Sequence, residues 1–444
     1  RSPDGVFPGY AVDPRRFGGY ASKRYLVAKN EEAYRDVFTI HYPDEERHDA
    51  RPVKTSPIYD KLRRLGAVFG QRYGWERANW FAPDGVEPKD VWSFRRTNYF
   101  EHVGNECRRL REKVGVIDLT PFTKFEVTGP GAEGWLDSLV ANKVPTKVGR
   151  IALCHALTQR GGIRSEFTIT KLADHHYYVV SAGAAERYDS DFLQQKLPTD
   201  RSVTLRNITG SRGVFVLAGP RARDVMAKLT DVPLDNASFP WLTGQVIEAG
   251  LATDVYALRV NFVGALGWEL HFPIEYAHGL FDAIFAAGAE HGIGMAGMRA
   301  MESLRMEKSY RMWGSDLTRD NTPLEGGLAR FVRMDKGPFT GREALEQQQK
   351  NGVPLSFVTL EVHGVTDADP LGNEPIFAPD GRLVGRATSG YYGHCLRKSL
   401  AIGYVKPEFA AVGTELSVEV LGERKRANVL VDSPYDPQNL DLRA

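Results

Sequence analysis

Helical periodicity stops near residue 354. Beyond it, Ser356–Val362, Arg382–Thr388 and Glu415–Leu421 are short runs in which apolar and polar residues alternate, with Gly and Pro in the turns between them. A chain that alternates in this way exposes one polar face and must bury the other against its own strands, so the segment reads as a small β-barrel or sandwich.

The region from about 100 to 345 has a different texture. Strand-like runs at Lys124–Thr128, Phe167–Thr170, Tyr177–Val180, Gly213–Leu217 and Ala257–Val260 alternate with helical patterns at 131–140, 184–196, 220–229, 276–291 and 297–310. The strands follow one another as hairpins as well as in strand–helix units, which favours an α+β layout over one doubly wound sheet. Val127–Leu136 is echoed about ninety residues later by Val216–Val225, each a strand, a Gly-Pro turn and a helix. Residues 1 to about 80 are rich in Arg, Tyr and Pro and carry little apolar periodicity, so they should wrap around or bridge to another domain. Within them Pro57–Phe69 reads as a helix with an apolar stripe at Ile58, Leu62, Leu65 and Phe69. At 444 residues the whole needs two or three packed units.

Charge narrows the function. With 57 Lys plus Arg against 56 Asp plus Glu, nothing global favours nucleic acid or a membrane surface. No stretch approaches the ~20 apolar residues of a membrane span, and Arg1–Gly5 shows neither a signal-peptide core nor an initiator Met. Three scattered cysteines, Cys107, Cys154 and Cys395, form no CxxC and suggest a reducing compartment without structural zinc.

Gly129-Pro130-Gly131-Ala132-Glu133-Gly134 spells GxGxxG between a strand and a helix. No acid follows about twenty residues on to hold a ribose, Pro130 stiffens the turn that must approach a pyrophosphate, and the echo at Gly219-Pro220 drops the other glycines. The segment reads as a helix-starting turn, which removes the one dinucleotide candidate. No GxSxG occurs, and the neighbouring His175 and His176 point apart in a strand or turn, so no metal site is expected. Acids in apolar settings remain. Glu166 follows Gly161-Gly162 at the mouth of an apolar strand, where a carboxylate can accept a proton or steady a cation; taken alone, it is as readily a solvated turn acid. Glu269 sits between Trp268 and Leu270, and burying it without a partner would be costly. Tyr73–Phe81 is dense in aromatics and polar heads, a composition of interfaces and pockets.

Several segments together resemble a family. Gly115–Thr120, Gly161–Glu166, Gly264–Leu270, Ser303–Lys308, Asp316–Gly326, Thr388–Gly390 and Ser399–Val405 are similar to the glycine cleavage T-protein (aminomethyltransferase) fold. The version is similar to the C-terminal half of dimethylglycine and sarcosine dehydrogenases, and Asp13–Gly18, Arg51–Pro57 and Gly74–Pro83 resemble the bridging domain of those enzymes. The resemblance implies a T-protein-like cloverleaf of mixed and antiparallel sheets with helices, divided into a bridging domain at 1–90, a folate-binding aminomethyltransferase-like domain at 91–350 and a small β-barrel at 351–444.

It also implies tetrahydrofolate as the one-carbon acceptor, forming 5,10-methylenetetrahydrofolate from an iminium or formaldehyde produced at a flavin site. The FAD is expected on a partner subunit or a missing N-terminal half, in an oligomeric enzyme of the bacterial cytoplasm or mitochondrial matrix that acts on a small N-methyl amine. Carried over by position, Glu269 grips the pterin, Tyr178 lies beside the folate, Leu153 and Phe122 line the pterin slot, and Glu166 takes the place of a catalytic Asp. The sequence departs from the pattern in three places. Glu166 is longer than Asp by a methylene, an expected Asn is Ala182, and an expected Arg is Met301, with Arg299 as its substitute. A stand-alone folate-dependent methyltransferase or demethylase, and a non-catalytic folate-binding subunit, are the competing readings.

Overall fold

The computed structural model describes residues 14–444; Asp13 of the Asp13–Gly18 run and everything before it lie outside the described residues. Two sheets form the centre. The five-stranded sheet runs in the order Ile151–Leu157, Ile163–Ala173, His176–Ser181, Thr123–Thr128, Thr204–Asn207, with every pair antiparallel. The six-stranded sheet runs Gly244–Ala249, Ala252–Leu258, Gly267–Pro273, Arg212–Ala218, Gly115–Asp118, Gly294–Met295, with only its last pair parallel.

Strand alternation sorts the residues of both sheets. In the five-stranded sheet Cys154, Phe167, Ile169, Tyr177 and Val179 share one face and pack on Trp135 and Leu136 of the helix Ala132–Leu139. In the six-stranded sheet Phe215, Leu217, Trp268, Leu270 and Phe272 pack on Leu280, Phe281 and Ile284 of the helix Ala277–Gly288. The remaining faces meet each other: Tyr178 and Val180 of the first sheet pack with Tyr256 and Leu258 of the second.

The two Gly-Pro echoes are built alike. Gly129 has φ 113° and Gly219 φ 128°, and each turn opens a helix, Ala132–Leu139 and Ala222–Met226. A Cβ at Gly129 would lie 2.3 Å from the Ser202 carbonyl oxygen, and one at Gly219 2.4 Å from that of Lys113. The glycines of the GxGxxG run therefore let the chain's own backbone approach.

Ser356–Val362, Lys398–Val405, Leu383–Gly393, Pro375–Phe377, Glu415–Val420 and Glu423–Leu430 close into a barrel. It is clipped to the rest through buried carboxylates, Glu307 accepting from the Cys395 and Leu396 amides and Asp316 joining more groups still. Asp316 pairs with Arg305 at 2.8 Å, and accepts from Thr388 Oγ1 at 2.6 Å, Ser389 Oγ at 2.7 Å and the Met312 amide at 2.8 Å. Segments that carry the family resemblance are thus in part the bolts of the interdomain joint.

The N-terminal part corrects the sequence reading. The helix expected over Pro57–Phe69 stops at Arg64, and Ala67–Arg72 is a strand paired with Trp75–Phe81. Gly66, at φ 84°, turns the chain, and a Cβ there would lie 2.1 Å from the Ala82 carbonyl oxygen. Ile58 and Leu62 are buried as the stripe requires, whereas Leu65 is exposed. A helix at Lys23–Arg35, capped by the Ser22 hydroxyl, was not foreseen, because its apolar face stays open: Leu26 and Val27 are exposed.

Gly161-Gly162 fixes the approach to Glu166. Gly161 has φ 82°, and a Cβ at Gly162 would fall 1.8 Å from the Arg319 carbonyl oxygen. Gly162→Ala is expected to lower unfolding stability by about 1–3 kcal/mol or more, read by urea titration; an unchanged midpoint would show that the 319 loop yields freely.

Candidate functional site

The space between the facing sheets gathers most of the expected site. Along Ile163–Ala173, Glu166, Thr168 and Thr170 point to one face. Register places His155 opposite Glu166, Leu153 opposite Thr168, and Tyr178 opposite Thr170. Glu166, Leu153 and Tyr178 therefore share the face turned to the six-stranded sheet, and Phe122 packs against the same cluster. From the other side Glu269 and His271 project from Gly267–Pro273, in register with Leu258 and Tyr256. Glu166 lies four residues from the Thr170–Tyr178 rung, roughly 13 Å along the strand.

Glu166 is half-buried, and its Oε2 lies 2.9 Å from Nε2 of the fully buried His155. His155 Nδ1 is buried without a partner among the described residues, so the ring proton is best placed on Nε2, donating to the carboxylate. The longer reach of Glu compared with Asp is taken up by this contact, which ties the head group to the neighbouring strand.

Glu269 is 7% exposed, and burial pushes its carboxyl up to about 8. Its Oε2 lies 3.2 Å from His271 Nε2, and His271 Nδ1 lies 2.9 Å from the Tyr178 hydroxyl. Tyr178 is fully buried, with its ring edge-on to both Tyr256 and His271, and burial raises its hydroxyl far above the usual phenol range. Lys124, on Thr123–Thr128, donates its Nζ to the Thr120 and Arg212 carbonyls; burial lowers this amine to about 7. Neither His271 nor Lys124 emerged from the sequence. His271 had a signal: Glu269 and His271 are two apart on a strand and must share a face.

Arg299 is placed elsewhere. On the helix Met298–Glu307 it is 6% exposed, ion-paired to Asp90 and seated 3.7 Å from the Tyr99 ring centroid, while Trp80 Nε1 donates to the same Asp90 at 2.8 Å. Its partners are therefore Asp90 and Tyr99, not the Glu269 cluster. Ala182 lies at the end of the strand His176–Ser181, where its carbonyl accepts from Thr123. Met301 is buried in the core beside Leu304. No group of three or more metal-ligating side chains occurs among the described residues, and no helix among them is long and apolar enough to cross a membrane.

Two facing sheets with a clipped six-stranded barrel define an aminomethyltransferase type of fold. The crystal structure of the glycine cleavage system aminomethyltransferase T from Bartonella henselae superposes with a TM-score of 0.74 at 23% identity, over 86% of this chain and 98% of that one. The chain belongs to the glycine cleavage T-protein family: residues 58–336 match the GCVT N-terminal domain and 356–436 the glycine cleavage T-protein C-terminal barrel domain. Residues 8–56 match the FAD dependent oxidoreductase central domain. Mouse mitochondrial dimethylglycine dehydrogenase is 37% identical over 94% of this chain and 48% of its own length. Human mitochondrial sarcosine dehydrogenase is 30% identical over 98% of this chain and 52% of its own length. The chain thus spans about half the length of the curated relatives it matches.

Proposed function

We propose that this chain is the tetrahydrofolate-binding, one-carbon-accepting half of an N-methyl amine demethylating flavoenzyme, forming 5,10-methylenetetrahydrofolate. The observation that carries the reading is a pair of carboxyls on facing sheets, Glu166 held by His155 and the buried Glu269 joined through His271 to Tyr178, an arrangement that can address two parts of one ligand. The residues suit that ligand. Glu269 is a buried carboxyl with a single hydrogen-bond partner among the described residues, so it retains acceptor capacity for the N–H groups of a pterin edge. Leu153, on the Glu166 face of the five-stranded sheet, and Phe122, packed on the Tyr178–Leu258 cluster, supply half-buried apolar surface.

Tetrahydrofolate supplies the nucleophilic amine nitrogen that accepts the one-carbon unit. Glu166, steadied by His155, stabilises the developing positive charge and takes up the proton which that nitrogen loses. The iminium or formaldehyde arises at a flavin held on a partner subunit or an N-terminal half; the support is the match of residues 8–56 to the FAD dependent oxidoreductase central domain, together with the similarity to mitochondrial dimethylglycine dehydrogenase. Mitochondrial relatives favour a matrix location, with the cytoplasm as the bacterial counterpart.

In the complete flavin-containing enzyme, Glu166→Ala should leave amine oxidation at its wild-type rate. Methylenetetrahydrofolate formation should slow by about 10²–10⁴-fold, and free formaldehyde should accumulate. An unchanged yield would reduce the chain to a non-catalytic folate binder. Turnover of a sulfonium or methoxy compound by the chain with tetrahydrofolate alone would make it a stand-alone methyltransferase.

A further inference from the structure

Tyr178, His271 and Glu269 form one hydrogen-bonded series that crosses from the five-stranded to the six-stranded sheet. Its direction can be worked out. Burial, followed by the Lys124 and Arg212 cations, holds His271 well below its ordinary range, so the ring is neutral and carries one proton. The buried Tyr178 hydroxyl has His271 Nδ1 as its hydrogen-bond partner among the described residues, and a phenol O–H taken out of water needs an acceptor. Tyr178 therefore donates to Nδ1. That leaves the ring proton on Nε2, the atom facing Glu269 Oε2.

The opposite direction, with a Glu269 O–H donating to Nε2 and Nδ1–H donating to Tyr178, strands the phenol proton. Only the first arrangement satisfies all three groups; it makes Glu269 Oε2 the acceptor, and a hydrogen bond to that oxygen is stronger for the carboxylate than for the acid. The other charged or titratable groups around the series are Lys124 and Glu126 from Thr123–Thr128, the latter held by His176 and Arg206, Arg212 from Arg212–Ala218, and Tyr256 and Asp254 from Ala252–Leu258. Arg212 is already bound by Asp254 and lies 3.6 Å from the Tyr256 ring centroid. Burial alone accounts for the rise of the Glu269 carboxyl, with no charged neighbour contributing, and His271 is the donor that reaches its side chain among the described residues.

We propose that His271, locked in its Nε2–H tautomer by Tyr178, is a positioning residue that presents Glu269 to the ligand as an ionised acceptor. The proposal rests on the reading of Glu269 as the pterin's carboxylate.

Tetrahydrofolate binding is titrated calorimetrically from about pH 5.5 to about pH 9 in wild type, Tyr178→Phe, His271→Leu and His271→Gln. Wild-type affinity should climb about tenfold per pH unit and level off near pH 8. His271→Leu should move the levelling point upward by about one unit, weakening binding about tenfold at neutral pH but little at the alkaline end. Tyr178→Phe, which keeps the ring in place and serves even where His271→Leu fails to fold, should move it part of the way. His271→Gln, which restores an N–H, should move it back. A uniform loss of affinity at all pH values, with the levelling point unmoved, would make His271 merely structural and overturn the proposal. If wild type bound no tetrahydrofolate at any pH, the folate reading would fall instead. The infrared band of the Glu269 carboxylic acid in ligand-free protein, identified with Glu269→Gln, would still report whether His271 sets its ionisation.

Discussion

Glu269→Gln is expected to raise the dissociation constant for tetrahydrofolate by roughly 10²–10³-fold. Each hydrogen bond to a charged acceptor is worth about 1.5–3 kcal/mol, and the pterin edge would make two, where an amide presents one oxygen and one competing NH₂. The same substitution should flatten the pH dependence of binding, because the group that must ionise has gone.

Stability should move the opposite way. The folded-state carboxyl is raised to about 8 from an ordinary value of 4.5, so between those limits the unfolded chain ionises while the folded chain holds its proton. Unfolding is thus favoured increasingly as pH rises from about 4.5 to about 8, and no such penalty exists below that window. Glu269→Gln should therefore be no less stable than wild type near pH 5 and more stable at pH 8, while binding worse. Denaturant titrations at the two pH values test this; a variant that lost stability equally at both would show that the Glu269–His271 contact is mainly structural.

The second large effect lies outside the site. Asp316→Ala should destabilise the chain by about 3–5 kcal/mol, because it leaves Arg305, which is 1% exposed, with the half-buried Glu302 and the Tyr310 carbonyl as its remaining partners among the described residues. The Met312 amide loses its acceptor in the same step, while the Thr388 and Ser389 hydroxyls keep only their longer contacts to the Ile402 carbonyl and the Ser315 hydroxyl. Asp316→Asn, which keeps an oxygen in place, should lose less. Hydrogen exchange should show the loss concentrated at the strand Leu383–Gly393 and its joint with the helix Met298–Glu307. Unchanged protection there would mean that apolar packing, not this carboxylate, holds the barrel.

Much of the fold was legible because alternation and 3.6-residue periodicity are local. The strands at 356–362 and 415–420 and the helix at 132–139 fall where the pattern puts them. The helix Lys23–Arg35 was missed for the reason the rule works elsewhere: its exposed apolar residues carry no burial pattern. The end of the helix near 64 was misjudged because a single glycine outweighed a four-residue stripe.

By itself the sequence determined which residues alternate within one strand, and so that Glu269 travels with His271. It could not say what those faces meet. Tyr178 and His271 are 93 residues apart and touch only because two sheets pack together, and Arg299 meets Asp90 across 209 residues. The pairing of Asp316 with Thr388 is of the same kind, at a separation of 72. Parity along a strand is written residue by residue. Contacts between sheets depend on how whole elements close over one another, and that closure selects which polar groups are buried together.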